Sequence, residues 1–92
     1  GGDPLHTHNR MEITRLAKKV RETLPEKTIW LYTGYLWENI QDLEIIPYLD
    51  VVVDGPYVEA VRDPKLHWKG SSNQRVIDVQ ETLRLGKVVL FD

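Results

Sequence analysis

The feature that most constrains this chain is Asp50-Val51-Val52-Val53-Asp54-Gly55-Pro56. Three consecutive valines between turn residues read as a strand, because β-branched side chains fit a pleated, buried surface. Without polar alternation, such a strand is covered on both faces, as in a parallel sheet. A second run, Thr28-Ile29-Trp30-Leu31-Tyr32-Thr33-Gly34-Tyr35, has the same character and also stops at a glycine. Between them, Leu36 to Ile46 has helical character, with Trp37, Ile40 and Leu43 able to share a face, and Pro47 ends it. Strand, helix, strand in this order predicts two adjacent parallel strands whose carboxyl ends, Thr33-Gly34 and Asp54-Gly55, form one ligand edge.

Upstream, Asn9 and Glu12 have capping-box spacing, with Thr7 a rival cap. Ile13, Leu16, Ala17, Val20 and Leu24 then form a helical stripe that Pro25 terminates. The basic residues on the other side of this helix read as a solvated face. His6-Thr7-His8 has no third histidine nearby and reads as a loop, not a metal site. Downstream, Tyr57–Val61 fits either a short helix or an extended piece. Gly70-Ser71-Ser72-Asn73-Gln74-Arg75 is polar, and is either a plain connector or a hydrogen-bonding loop for a ligand or partner. Val76–Val79 reads as a short strand, Val79–Leu85 as a helix stopped by Gly86, and Lys87–Phe91 as a closing strand. The expected fold class is therefore α/β, with a mostly parallel sheet of three to four strands, in a single domain spanning residues 1–92.

Composition narrows function by exclusion. The chain of 92 residues carries 12 basic and 14 acidic residues. Each half carries seven acids and six bases, so no basic footprint for nucleic acid exists. No apolar run is long enough for a membrane span, and no secretory leader pattern opens the chain, so the expected location is cytoplasmic. There are no cysteines, which rules out thiol catalysis and cysteine-ligated iron–sulfur clusters within these residues.

Four stretches in series carry a resemblance: Gly1-Gly2-Asp3-Pro4-Leu5, Trp30-Leu31-Tyr32-Thr33-Gly34-Tyr35, Val53-Asp54-Gly55-Pro56-Tyr57 and Lys69-Gly70-Ser71-Ser72-Asn73-Gln74-Arg75-Val76-Ile77-Asp78. Over nearly its whole length the chain resembles the anaerobic ribonucleoside-triphosphate reductase activating proteins, small radical S-adenosylmethionine enzymes. The resemblance implies a partial β/α barrel. It implies a [4Fe–4S] cluster on a Cys-x-x-x-Cys-x-x-Cys loop, reductive cleavage of S-adenosylmethionine, and a glycyl radical formed on the partner reductase. It implies that Gly1, Gly2 and Asp3 approach the methionine amino group, and that Thr33 and Asp54 bind the same ligand from adjacent strand tips. Glycine permits close backbone approach and a carboxylate offsets an ammonium. A turn carboxylate before Gly55-Pro56 is the competing reading of Asp54.

The family's cysteine loop precedes the Gly-Gly-Asp turn, and nothing precedes it here. The expectation is a C-terminal portion of the fold, inactive alone, with no catalytic or metal-ligating residue and neither cofactor bound. The alternatives are a non-catalytic module that docks on the reductase and an unrelated α/β domain. A strand at Thr28–Thr33 with no upstream neighbour has an open edge, from which a homodimer or strand exchange is expected.

Overall fold

The computed structural model describes residues 3–66 and 68–91. Its elements are α1 (Arg10–Thr23), β1 (Trp30–Tyr32), α2 (Trp37–Ile40), β2 (Val51–Asp54), β3 (Arg75–Asp78) and α3 (Val79–Leu85), with single 3-10 turns at Ile46–Tyr48 and Glu59–Val61. The sheet order is β1-β2-β3. β1 pairs with β2 in parallel, Leu31 opposite Val52, whereas β2 pairs with β3 antiparallel, Val52 opposite Ile77.

All four residues of β2 are buried, as the valine run implies. The strand is central and covered on both faces. On one face Leu31, Val52 and Ile77 join Leu5, Ala17, Trp37, Ile40, Ile45, Ile46, Leu49 and Val79. On the other face Val51, Val53 and Val76 lie under Trp30 and Phe91, and Trp68 packs edge-on against both of those rings.

The sheet is mixed, which overturns the expectation of a mostly parallel sheet and of a partial β/α barrel. A parallel neighbour needs a crossover long enough to return the chain to the same end, usually a helix. Among the described residues between β2 and β3 there is only the Glu59–Val61 turn and irregular chain, so β3 runs back from the end where β2 stopped. Nor does Lys87–Phe91 become a fourth strand. It contributes one bridge, Leu90 to Ile77, flanked by Asp78 N–H to Val89 O and Phe91 N–H to Val76 O.

The helix expected over Leu36–Ile46 is a single turn, α2, followed by successive i to i+3 bonds such as Leu43 N–H to Ile40 O and Ile46 N–H to Leu43 O. Asn39 and Asp42 are weak helix formers, which disfavours continuing the α form there. In α1, Asn9 stands at the cap position but makes no capping bond; its amide donates to Asp3 O instead. Ala17 alone of the α1 stripe is fully buried, while Leu16 and Leu24 are exposed.

α3 matches its expected bounds, and Gly86 adopts the left-handed conformation at φ 72°. Its N-cap is Asp78, which accepts from Glu81 N–H at 3.1 Å. Asp78→Ala is expected to cost about 1 kcal/mol, read as a shifted denaturant midpoint at unchanged slope.

Candidate functional site

Parallel pairing of β1 and β2 brings Thr33 and Asp54 to the same edge of the sheet, and antiparallel pairing starts β3 there with Arg75. The Asp3 turn docks onto this rim. Asp3 Oδ1 accepts from Leu5 N–H at 2.9 Å and from Thr33 Oγ1–H at 2.8 Å. Asp3 Oδ2 accepts from Gly34 N–H. Thr33 Oγ1 in turn accepts from Tyr35 N–H at 3.2 Å, so one hydroxyl links the turn to the segment after β1. Leu5, wholly buried, anchors the other side of the turn. A Cβ at Gly34 would meet Asp3 Oδ2 at 3.4 Å and Pro56 Cα at 4.0 Å, ordinary van der Waals contacts, so the carboxylate packs directly against the strand end.

Beside this contact lies an open hollow of about 380 Å³, bordered by Asp3, Thr33, Gly34, Gly55, Tyr57 and Gln74. Asp3 is only partly buried and Tyr57 is half exposed. The hollow therefore offers a fixed negative charge, peptide edges and an aromatic wall.

Asp54 stands at the same rim but turns inward, with no exposed surface. Its carboxylate accepts from Trp37 N–H at 2.8 Å, from Arg75 N–H at 3.2 Å and from the Arg75 guanidinium through Nε and Nη2. Arg75 also reaches Glu38 with a fork, at 2.8 and 3.2 Å. The bonds to Asp54, then those to Glu38, push the Arg75 pKa up, and the Arg75 bond holds Glu38 below its ordinary value. In this geometry Asp54 fixes the start of α2 and of β3.

The Ser71–Gln74 loop has a function the residue types alone did not assign. Gln74 Oε1 accepts from Gly70 N–H and Ser71 N–H, and Gln74 Nε2 donates to Gly55 O at 3.0 Å. Asn73 Nδ2 donates to Pro56 O at 2.7 Å, and buried Ser71 Oγ accepts from Val58 N–H at 3.1 Å. These side chains clasp residues 55–58, the lip of the hollow beyond β2. The composition left a plain connector or a loop bonding a ligand or partner; the bonds observed run instead to this chain's own residues, 13 to 19 positions upstream.

Of the five sequence candidates, Asp3 and Thr33 touch each other and border the hollow. Asp54 is one strand away and enclosed. Gly1 and Gly2 lie outside the described residues. His6 and His8 stack 5.0 Å apart in the open, and among the described residues no group of three or more potential ligands could hold a metal. No helix among them is long and apolar enough to cross a membrane.

Comparison with known proteins matches most of the chain. The chain is 50% identical over 76 residues to the anaerobic ribonucleoside-triphosphate reductase-activating protein of Enterobacteria phage T4, a match covering 83% of this chain and 48% of that protein. It is 42% identical over 76 residues to the protein of the same name from Vibrio cholerae serotype O1, covering 80% and 49%. It is 42% identical over 78 residues to that from Escherichia coli K12, covering 83% and 51%. The chain thus spans about half the length of these relatives. No solved structure matches it significantly. The 4Fe-4S single cluster domain family matches residues 1–77, which include the Asp3 turn, β1, β2, most of β3 and the Ser71–Gln74 clasp, and the chain belongs to that family.

Proposed function

We propose that this chain carries the S-adenosylmethionine-facing rim of an activating protein for anaerobic ribonucleotide reductase, and that it is inactive by itself. The observation that carries the reading is the Asp3 carboxylate, pinned across the tip of β1 by Leu5, Thr33 and Gly34 at the mouth of a hollow. A carboxylate oriented by fixed donors needs no reorganisation to meet an ammonium group, so the amino-acid end of S-adenosylmethionine is the part that suits this rim. Gly1 and Gly2, by permitting close backbone approach, would flank the same group. Thr33 orients Asp3. Asp54 acts on the site by holding Arg75 and the α2 turn that frame it. The similarity to named activating proteins supports the reductase as the class of partner, and the proposed setting is cytoplasmic.

The cluster does not fit these residues. A [4Fe–4S] centre is held by thiolates, and the chain has no cysteine. No reductive step is therefore assigned to it. The cluster supplies the electron where it is bound, and this chain's residues supply binding and orientation.

The expected outcome of anaerobic reconstitution of the chain with iron and sulfide is no stoichiometric cluster, and no glycyl radical by electron paramagnetic resonance when reductase, reductant and S-adenosylmethionine are added. A stoichiometric cluster or a radical would overturn the reading. The lack of cysteines also favours a second reading, a module that docks on the reductase without chemistry. Co-sedimentation of the chain with the reductase is expected in that case, and absence of any complex removes it.

A further inference from the structure

We infer that Tyr57 sets the specificity of the hollow beside Asp3: its ring, together with that of Tyr32, receives the sulfonium centre of S-adenosylmethionine and distinguishes it from a neutral thioether. The inference rests on the ligand reading given above and adds a second point of charge recognition to it. A sulfonium carries no N–H or O–H to donate. An aromatic face suits it, because the ring attracts a cation without needing a hydrogen bond. The hollow has that character. Among the described residues that border it, Asp3 is the one charged side chain, and Tyr32 and Tyr57 are the aromatic ones. They are 50% and 49% exposed, so each keeps about half its surface open. With no basic side chain among these residues, the border favours a cation.

Tyr57 is fixed at both its backbone and its ring. Pro56 O accepts from Asn73 Nδ2–H at 2.7 Å, and Val58 N–H donates to Ser71 Oγ at 3.1 Å. The chain on either side of Tyr57 is thereby tied to the clasp. Its hydroxyl donates to Glu59 Oε2 at 2.8 Å. Gly70 lies against the ring: a Cβ there would come within 2.9 Å of Tyr57 Cδ1 and 3.0 Å of Cε1, too close for the ring to stay where it is. Gly70 is itself set by the bond from its N–H to Gln74 Oε1 at 2.9 Å. Donating the phenol proton to a carboxylate leaves the ring richer in electrons, which strengthens its pull on a cation. A ring already held in place loses little side-chain freedom when a ligand arrives.

The test is titration of the chain, followed by nuclear magnetic resonance, with S-adenosylmethionine and with S-adenosylhomocysteine up to about 10 mM, a range that reaches weak binding. The second ligand keeps the ammonium, the carboxylate and the adenosine but has a neutral sulfur. The expected result is a preference of about fivefold for the sulfonium, the scale of a cation–π contact at an open site. Tyr57→Leu is expected to remove most of that preference, and Tyr57→Phe, which keeps the ring, to retain most of it. Gly70→Ala, which displaces the ring, is expected to act as Tyr57→Leu does. Circular dichroism confirms that each variant is folded. Asp3→Asn is expected to weaken both ligands, because both carry the ammonium. Equal affinity for the two ligands overturns the inference, as does a preference that survives Tyr57→Leu; the Asp3 reading then stands if Asp3→Asn still weakens both. A ligand pair indifferent to Asp3→Asn overturns that reading instead. Binding of neither ligand overturns both.

Discussion

Arg75→Met is expected to be the most damaging single change at the rim, at about 3 kcal/mol, read from the denaturant midpoint. The mechanism is an uncompensated buried charge. Asp54 has no exposed surface, and removing Arg75, its cationic partner among the described residues, leaves the carboxylate with the Trp37 and Arg75 backbone N–H groups. Breaking a buried pair costs about 3–5 kcal/mol, and the partial exposure of Arg75 places the loss at the lower end. Arg75→Met combined with Asp54→Leu should recover much of the loss, because the penalty belongs to the orphaned charge. Glu38, on the outer side of the same guanidinium, adds a pH signature. Its folded pKa lies below its ordinary value because of the Arg75 bond, so its contribution is present at neutral pH and is lost as pH falls through the glutamate range. The stability difference between the native chain and Glu38→Gln is expected to shrink on acidification; a difference that grew would contradict the assignment.

The second large effect is expected at Asp3. Asp3→Ala removes the acceptor of Leu5 N–H, Thr33 Oγ1–H and Gly34 N–H together. The site is partly open, so water replaces some of these bonds, and the expected cost is about 2 kcal/mol. The loss is local first. Amide exchange at Gly34 and Leu5 should accelerate well beyond that at Val52 and Ile77, which sit in the sheet centre. Uniform acceleration would mean that the turn is not a separate latch on the strand tip. Asp3→Asn keeps an acceptor but not the charge, so it is expected to retain much of the stability and lose attraction for a cationic ligand.

Particular residues show how far the sequence could be read. Val51–Val53 announced a strand buried on both faces because nothing polar interrupts it, and Leu85-Gly86 announced a helix stop because only glycine takes the left-handed turn cheaply. Thr33 and Asp54 were expected at one edge, and pairing of β1 with β2 puts them there. Strand direction was not legible for β3: Arg75–Asp78 is equally good in either orientation, and the decision lies with the return between β2 and β3, whose described residues form no crossover helix. The direction of the Asp54 side chain was hidden for a similar reason. Whether a rim carboxylate faces ligand or core depends on Arg75, 21 residues away, and on the Trp37 N–H, neither of which is implied by Asp-Gly-Pro. The short α2 reflects competition that periodicity alone resolves poorly, between helical spacing of Trp37 and Ile40 and the low helix propensity of Asn39 and Asp42.

The most direct measurement is a segment exchange. The 76 matching residues of the phage T4 activating protein, half of which are identical here, are replaced by the corresponding residues of this chain, and glycyl radical formed on the reductase is quantified by electron paramagnetic resonance. The rim described above predicts that the exchanged protein, once its cluster content is confirmed, yields radical, and that Asp3→Ala within it lowers the yield at least tenfold, the scale of losing one charge-assisted contact. An exchanged protein that holds its cluster and makes no radical, or one that works equally well with Asp3→Ala, would contradict it.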